Sequence, residues 1–570
     1  MKRIFTLLLS LFISIQILAS NYELSDYDFW IGDFYYKITS ESERTVELVQ
    51  NPDGCFYSSG GYSGRIVIPD SVEYNGKYYK VTSFGSDVFT NSNISITFPN
   101  TLRIIRERCF YTSTTLQSII VLPNSLDTIE SYGFYCVGIN KIYIPASVKH
   151  IAAAGVVSSK LDSIIVDSAN LYYQSIDGAL YSKTESTLLS FPANRQGHFD
   201  VPDWVTCIGE RAFNSSDLSS VTLPNSLKKI ERYAFAFCNN MSDLYIPSSV
   251  SYIQGGAVLS CSIMHGLTID SLNTHYKVAE NAIYSIDGDT LISFPSPKMI
   301  WSTPYYDDIL RIAEGTKVVA EYAVAHNTHK NTIILPEGMI EIKDNAFAVS
   351  NVRDIHFPKT LKFIRERAFY SCQLLSHFTG ADSLEIIESE AFIYCLAFRE
   401  NIVFPSTLKV LGAYAFYYVP LKEIEFTGKI DSLICPFYGD IKKMTLVNQT
   451  PPYFENVDDG MVMCHFNNII IPCNSTQAYL SDPNWSSYNY TEDCDGIEDI
   501  DPQSAVQVLA QHKAVDVYNA ENYSVAIYDL MGRCHTAEPA TGYNLRHYTL
   551  PNSGVYIVRV NGKGYKVVVQ

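Results

Sequence analysis

The sequence is poor in charge, and positive charge is the scarcer sign. Charged residues make up 18% of the 570-residue chain, against about 25% in an average soluble protein. The 42 Lys and Arg face 60 Asp and Glu, which gives a formal net charge of −18. A protein that binds nucleic acid through its phosphates needs a basic surface, and docking on anionic lipid needs basic clusters. The composition therefore argues against both classes.

Familiar catalytic and metal-binding motifs are also missing. The chain has no C-x-x-C pair for zinc, no G-x-S-x-G and no H-E-x-x-H. Gly562-Lys563-Gly564 lacks the strand–loop–helix frame of a phosphate loop. The twelve histidines are scattered, and none pairs with a cysteine at a recurring spacing. We expect no catalytic residue, cofactor or metal, although the sequence leaves open a carboxylate pair for glycoside hydrolysis.

Long apolar runs are absent except at the N-terminus. Residues 1–20 begin with Lys2 and Arg3, continue with an apolar run over 4–18 and end in Ala19 and Ser20. This pattern predicts a secretory signal peptide. The alternative is a membrane anchor, which needs about 20 apolar residues and usually a stop-transfer flank. We expect an exported protein with no membrane span after signal cleavage.

What the chain does have is an internal repeat of about 22–24 residues, marked by prolines. Pro123 and Pro145 are 22 apart, and Pro202, Pro224 and Pro247 are 22 and 23 apart. With each proline as zero, offsets −3, −1, +3 and +6 are apolar and offset +11 is usually Phe. The +11 residues that we assign to a structural column are Phe110, Phe134, Phe213, Phe235, Phe347, Phe369, Phe392 and Phe416. About a dozen copies run from residue 66 to about 433.

One such unit cannot fold alone. Its I-x-I-P segment is a very short strand that proline ends, because proline cannot donate to a strand ladder. Stacked units would bury the recurring apolar side chains in continuous columns. Each buried aliphatic or Phe contributes about 1.5–3 kcal/mol. The pattern predicts an α/β or mainly β repeat with one long core.

The repeat resembles the BspA-like leucine-rich repeats, whose unit reads roughly I-x-I-P-x-x-V-x-x-I-x-x-x-A-F-x-x-C. Residues 21–82 look like the family's N-terminal cap, residues 83–440 like its repeats and residues 441–495 like its C-terminal closing segment. The resemblance implies a right-handed solenoid of short parallel strands at a bacterial surface. It also implies adhesion or protein binding without enzymatic activity.

Two segments interrupt the repeat and match each other 103 residues apart. Residues 168–195 and 271–298 read as inserted hairpins, because turn residues separate alternating strands. They are either decorated repeats or paired protrusions that frame a binding surface. The second possibility supports the alternative function, a surface protein that binds or processes glycans through these hairpins.

The C-terminal 75 residues have a different pattern. From residue 496 the repeat stops, and alternating strands around 524–533 and 552–570 predict a small β-sandwich. The motifs over 527–533 and 553–558 resemble the C-terminal sorting domain of the type IX secretion system. That resemblance implies the outer-membrane type IX machinery as a partner, and secretion or attachment at the outer surface of a Gram-negative bacterium. The chain ends in Gln570, not in the basic residue common in such domains, and an ordinary binding sandwich is the alternative.

The thirteen cysteines cannot all pair with one another. Five follow the Phe column by two or three residues, and we predict that they form a buried ladder of free thiols: Cys136, Cys238, Cys261, Cys372 and Cys395. Cys464, Cys473 and Cys494 lie outside the array and are better disulfide candidates, with their pairing open. Recurring Asp-Ser/Thr-apolar triplets, such as those at Asp127 and Asp270, resemble an O-glycosylation signal, although the repeat itself favours polar residues there.

A ligand surface is predicted on the strands. Offset −2 lies between two buried strand positions and therefore faces outward. The outward stripe comprises Thr97, Val121, Tyr143, Asp200, Thr222, Tyr245, Ile334, His356, Val403 and Glu425. Its binding candidates are Tyr143, Tyr245, Ile334 and His356. An exposed, mostly uncharged stripe suits an extracellular protein or peptide partner, here a host-matrix or neighbouring-cell macromolecule, and a solvated sheet is the alternative. An extracellular glycan ligand would instead use the inserted hairpins.

Overall fold

The computed structural model describes residues 27–52, 62–113, 116, 118–135, 138–297, 309–399, 401–458, 461–462, 464–494, 507–511, 514–518, 524–539, 545–560 and 563–569. The predicted signal peptide, residues 1–20, and Cys136 lie outside the described residues. No described helix is both long enough and apolar enough to cross a membrane.

The N-terminal segment converts antiparallel pairing into the parallel pairing of the repeats. Its strands are Phe29–Ile31, Phe34–Ser40, Thr45–Val49, Ser71–Tyr74 and Lys77–Phe84. The first three run antiparallel, and Thr45–Val49 then pairs parallel with Lys77–Phe84. Phe29 stacks on Tyr74 with ring centroids 4.1 Å apart and nearly parallel planes, so aromatic contacts close this end of the core.

Each repeat begins with one strand of an outward-facing set, which we call the outward strands. They are Ser63–Val67, Asn93–Thr97, Ile119–Val121, Lys141–Ile144, Ser163–Val166, Gly197–Asp200, Leu218–Thr222, Asp243–Ile246, Gly266–Ile269, Ile309–Arg311, Thr332–Ile334, Asp354–Phe357, His377–Gly380, Asn401–Phe404, Glu423–Phe426 and Lys443–Thr445. Where neighbours pair, they pair parallel and in register, as Ile142 does with Ile164. Alternate residues are buried and exposed, as the period of a strand requires.

A second set of mostly two-residue strands follows the proline of each repeat. They are Ile104–Ile105, Thr128–Ile129, His150–Ile151, Cys207–Ile208, Lys229–Ile230, Tyr252–Ile253, Val318–Val319, Glu341–Ile342, Phe363–Ile364, Ile386–Ile387, Val410–Leu411, Ser432–Ile434 and Tyr453–Glu455. Neighbours pair parallel from repeat to repeat, as Ile342 does with Ile364, except after His150–Ile151 and Tyr252–Ile253, where a sheet ends. The fold is therefore the predicted solenoid of short parallel strands, and it is almost entirely β.

The third side of each turn carries the Phe column. All eight residues named from the sequence are buried. Successive rings stack almost parallel with centroids 5.0–5.1 Å apart, as in Phe347–Phe369 and Phe369–Phe392. Two short strands, Phe134–Tyr135 and Val156–Val157, also form on this side.

The two inserts are three-stranded antiparallel units inside the solenoid wall. They consist of Tyr173–Ile176, Ala179–Ser182 and Thr187–Ser190, and of Tyr276–Ala279, Ala282–Ser285 and Thr290–Ser293. In each insert the third strand pairs parallel with the next repeat, at Cys207–Ile208 and Val318–Val319. Each insert thus begins a new sheet of the second strand set.

The described residues form two compact units. The first ends at Ile469 and includes Asp482–Asn489, and the second contains Ile470–Ser481 and begins again at Tyr490. Part of the predicted closing segment, residues 441–495, therefore belongs to the second unit. The elements between the repeats and residue 494 are strands Gly439–Ile441, Val457–Asp458, Met461–Val462, Cys464–Phe466, Ile469–Pro472 and Tyr490–Asp493, and helix Thr476–Leu480.

One disulfide forms among the three candidates, between Cys473 and Cys494. Cys464 is a buried free thiol that contacts Asn456, so the expectation of a disulfide there is wrong.

The C-terminal residues form the predicted β-sandwich. Its strands are Gln507–Gln511, Ala514–Tyr518, Val525–Asp529, Cys534–Glu538, Leu545–Thr549, Gly554–Val560 and Lys563–Val569. They make a three-stranded and a four-stranded antiparallel sheet. One hydrophobic cluster, which includes Val515, Ile527 and Val558, draws side chains from both sheets.

Candidate functional site: the outward strands

The structure places all ten residues of the outward stripe at the surface. Tyr143 is 39% exposed and Tyr245 is 53% exposed. Tyr143 lies in register between Val121 and Ile165 of the neighbouring strands. Of the four binding candidates, Ile334 and His356 are brought together as cross-strand partners in one sheet, whereas Tyr143 and Tyr245 lie in two other sheets.

Near the N-terminal end, the outward strands expose several apolar side chains beside the polar stripe residue Thr97. Val67, Ile119, Val121 and Tyr143 are all exposed there, and Val121 reaches 63%. Charged side chains are exposed beside them, Arg65 two residues before Val67 and Lys141 as the cross-strand partner of Ile119. This end therefore presents a group of apolar side chains that water solvates poorly, which is the usual chemistry of a protein contact.

Further along, the outward side chains hydrogen-bond to one another. His198 Nδ1 lies 2.8 Å from the Ser220 hydroxyl, and His198 Nε2 lies 2.9 Å from Asp200 and 3.1 Å from the Thr222 hydroxyl. Hydrogen bonds from His198 and Thr222 lower the pKa of Asp200. The outward stripe predicted from sequence includes Asp200 and Thr222, but it does not include His198 and Ser220, which a bulge beside Gly197 brings opposite each other.

The order Ser220–His198–Asp200 is that of a nucleophile, a base and an orienting carboxylate. However, His198 is 49% exposed and Asp200 is 77% exposed. A catalytic triad works in a water-excluded site with donors preorganised for an oxyanion. On an open sheet, water competes for each of these hydrogen bonds, so the cluster is a polar surface patch.

A second polar cluster of the same kind lies on later outward strands. His356 Nδ1 lies 2.9 Å from the Thr379 hydroxyl, and His377 Nδ1 lies 3.0 Å from Asp354. The Ser376 hydroxyl donates to Asp354 at 2.6 Å. His356, a predicted binding residue, is thus held in one orientation by its neighbour. The same holds for Tyr245, whose pKa is raised by its hydrogen bond to Asp270.

The inserts put their matching residues inside the molecule. The Asn170 amide donates to the carbonyls of Pro145 and Val148, each at 2.9 Å. Its oxygen accepts from the backbone of Tyr172 and Tyr173. Asn273 repeats this arrangement with Pro247 and Val250 of the previous repeat, and with His275 and Tyr276.

The matching tyrosines close the edge of the preceding sheet. The Tyr173 hydroxyl accepts from Ile151 N–H at 2.7 Å, and the Tyr276 hydroxyl accepts from Ile253 N–H at 2.9 Å. Tyr181 and Tyr284 are fully buried. These side chains hold the inserts in the wall and are not available to a ligand.

The sequence of the repeats identifies the family to which the chain belongs. The family model described as "BspA type Leucine rich repeat region" matches residues 82–197, 190–287 and 314–440. The chain belongs to that family. No curated protein matches the chain.

Several solved structures resemble this BspA-type chain at low identity. The pneumococcal vaccine antigen PcpA is 18% identical, with 83% of this chain and 100% of that chain covered and a TM-score of 0.37. A leucine rich cell surface protein from Faecalibacterium prausnitzii is 21% identical, with 71% and 96% covered and a TM-score of 0.36. A leucine-rich repeat protein from Bacteroides ovatus is 18% identical, with 82% and 100% covered and a TM-score of 0.29.

The cysteines of the BspA-type repeats are structural. Cys238, Cys261, Cys372 and Cys395 are buried free thiols, as predicted. Each donates to the carbonyl of the preceding column residue: Phe213, Phe235, Phe347 and Phe369. Burial raises the pKa of Cys372 to about 12, so the thiol stays protonated and is a poor nucleophile or metal ligand.

One group of three potential metal ligands occurs among the described residues: Cys473, Glu492 and Cys494. The two sulfurs are joined in the disulfide and cannot act as thiolates. Glu492 accepts hydrogen bonds from the backbone of Asn474 and Thr476 instead, so this group stabilises the start of the short helix.

Proposed function

We propose that the chain is a secreted or cell-surface protein that acts without enzymatic activity and binds an extracellular protein through its outward strands. The observation that carries the proposal is the exposed apolar group at Ile119, Val121 and Tyr143, which lie on two neighbouring strands of one sheet. Solvated sheets normally carry polar residues outward, and the strands around His198 and Asp354 do so. Covering the apolar group with a partner therefore contributes more favourable free energy than covering the polar parts of the outward strands.

A binding panel tests this assignment. The purified mature chain is titrated against immobilised extracellular-matrix proteins and against a glycan array. We expect binding to a protein, weakened by Val121→Ser with Tyr143→Ser, because these changes remove exposed apolar area without touching the core. The matched control is Val403→Ser, another exposed outward valine far along the chain. An affinity for protein that stays unchanged when Val121 and Tyr143 are both replaced by Ser would contradict the proposed surface.

The same panel tests the rival glycan function. Deleting an insert would destroy the core around Tyr181, so the informative change is in the exposed loop before it, Leu171→Ser with Tyr172→Ser. Glycan-only binding that this pair abolishes would assign function to the inserts and overturn the protein-binding proposal.

We also propose that residues 496–570 act as a type IX sorting domain and that the chain reaches the outer surface of a Gram-negative bacterium. The domain presents a hairpin tip: the Asp529 carboxylate accepts from the backbone of Met531 and Arg533, and these bonds lower its pKa to about 2. Leu530 and Met531 are strongly exposed at this tip, where export machinery can reach them.

Cell fractionation tests the sorting proposal. In a host with the type IX system, the full chain should appear at the cell surface or in the medium, and a chain ending at residue 495 should stay in the periplasm. Export of the truncated chain would contradict a sorting role.

A further inference from the structure

Four tyrosines form a cluster at the C-terminal end of the repeats, in the turns that follow the Phe column. We call Tyr394, Tyr417, Tyr418 and Tyr438 the tyrosine cluster. The Tyr394 and Tyr418 rings stack with centroids 5.1 Å apart and an 11° interplanar angle. Tyr438 lies 4.8 Å from both Tyr417 and Tyr418. Tyr394 and Tyr417 are partly buried against a hydrophobic cluster that includes Tyr370. Tyr418 and Tyr438 are each 42% exposed, so these two rings present the aromatic surface to solvent.

The same kind of turn holds an arginine earlier in the chain. The Arg211 guanidinium carbon lies 5.5 Å from the ring centroid of Tyr132, 5.4 Å from that of Tyr135 and 4.3 Å from that of Tyr233. Arg232 lies over Tyr322 at 4.9 Å. These are cation–π distances. Tyrosines projecting from these turns are therefore arranged so that a guanidinium fits among them.

The correspondence is one of position in the repeat. Tyr135 and Tyr417 both lie twelve residues after a repeat proline, Pro123 and Pro405. Upstream, Arg211 meets Tyr132 and Tyr135 across an insert, and it lies nearest to Tyr233 of the adjacent repeat, with no insert between them. Tyrosines of these turns can therefore receive a guanidinium either from a neighbouring repeat or from a more distant part of the chain.

The cluster is left without an internal cation. Within the described ranges, no arginine or lysine lies over the rings of Tyr394, Tyr417, Tyr418 or Tyr438. The negative charge of Glu390 helps to raise the pKa of Tyr394, after the larger effect of burial. Arg367 already holds this carboxylate through two hydrogen bonds of 2.8 Å. The chain as a whole carries a net charge of −18, which attracts cationic partners.

We propose that the tyrosine cluster is a second binding surface, whose ligand is an arginine side chain in a basic segment of a protein partner. Arginine is favoured over lysine because its planar guanidinium stacks on aromatic rings and is less strongly hydrated. The surface goes beyond the function proposed above, because it lies in the turns and not on the outward strands. The proposal for each surface can therefore be confirmed or refuted independently of the other.

A labelled oligoarginine peptide is the probe. Its affinity for the purified mature chain is measured by fluorescence anisotropy at physiological and at high ionic strength, since binding to net charge alone is screened by salt. The reference peptide has the same length with citrulline at every position, which keeps the shape and removes the charge. We expect binding of the arginine peptide that persists in salt, and much weaker binding of the citrulline peptide.

Substitutions locate the site. Tyr418→Ala with Tyr438→Ala should weaken oligoarginine binding about tenfold, since each exposed cation–π contact contributes about 0.5–1 kcal/mol. Tyr418→Phe should bind as the parent does, because the ring is retained. The matched control, Tyr78→Ala with Tyr252→Ala, removes two exposed tyrosines that belong to neither proposed surface and should leave the affinity unchanged.

The result that overturns the proposal is equally specific. Equal affinity in the Tyr418 and Tyr438 double variant, an equal loss in the control pair, or equal binding of the citrulline peptide would each exclude a cation site in the tyrosine cluster. If the double variant shows an altered melting curve, Tyr438→Gln alone replaces it, and an unchanged affinity for that variant overturns the proposal in the same way.

Discussion

The Phe column gives the sharpest test of how the solenoid is stabilised. Phe369 is fully buried, and its ring stacks on Phe347 and on Phe392 at 5.1 Å on either side. Replacing a buried Phe by Ala costs about 3–5 kcal/mol, through lost burial and the cavity that remains. Two stacked neighbours place Phe369→Ala towards the upper end, because each aromatic pair adds about 0.5–1.5 kcal/mol.

Hydrogen exchange is the appropriate assay. A long repeat array does not unfold in one step, so a single melting temperature mixes repeats of different stability. The informative amides are those of Phe347, which donates to Ala368, and of Phe369, which donates to Ala391. A local loss of about 4 kcal/mol accelerates their exchange roughly a thousandfold.

The control and the refuting result both follow from the stacking. Phe235→Ala should cost less, because Phe235 stacks on Phe213 while the next repeat supplies Val258 and no ring. Exchange should accelerate only within a repeat or two of the substitution. Unchanged exchange around Phe369, or an equal acceleration along the whole chain, would refute a stack of nearest-neighbour contacts.

Three further predictions concern other parts of the molecule. Replacing Cys473 and Cys494 by Ser should destabilise the closing segment by about 3 kcal/mol, the value for opening a loop of 21 residues, which proteolysis at residues 473–494 would detect. Burial, and then the charge of Arg211, lower the pKa of His326 to about 4; the unfolded chain therefore binds its proton first, and stability should fall as pH drops from about 6.5 towards 4. Chemical denaturation at several pH values in that range should show that the free energy of unfolding changes less steeply with pH in His326→Gln than in the parent. Because Ser220 lies in a solvated cluster, a fluorophosphonate probe should not label it, and labelling that Ser220→Ala removes would overturn the non-enzymatic assignment.

The repeat columns could be predicted from sequence because each depends on one residue type at one offset. Phe at +11 and the aliphatics at −3, −1, +3 and +6 must be buried in any stacked arrangement, and the structure buries them. The outward position of offset −2 follows from the period of a strand. The thiols of Cys372 and Cys395 follow the same logic, since a small side chain behind the Phe reaches the previous carbonyl.

The turns could not be predicted in the same way. Offsets +9 and +13 adopt positive φ in many repeats, as at Tyr233 and Phe237 with φ near 60°. Such a backbone usually costs a bulky residue about 1–2 kcal/mol, and no glycine marks it here. The cost is offset by hydrogen bonds to the next turn, such as Arg211 N–H to the Arg232 carbonyl. Residue propensities for backbone conformation therefore do not predict these turns.

The inserts explain where the aromatic side chains of the turns meet. Each insert adds three strands to the second strand set but only one layer to the Phe column, so turns on either side of it approach each other. Tyr132 donates to Glu210, 78 residues away, at 2.8 Å. A Cβ at Gly255 would lie 1.8 Å from the Glu321 carbonyl oxygen, so only glycine permits that approach.

This geometry links the inserts to the turns. Tyr132, Tyr135 and Tyr322 each meet an arginine from the other side of an insert. Tyr418 and Tyr438 lie beyond both inserts and stay exposed. The position of the inserts therefore explains part of the difference between tyrosines whose rings are covered by an arginine and tyrosines whose rings face solvent.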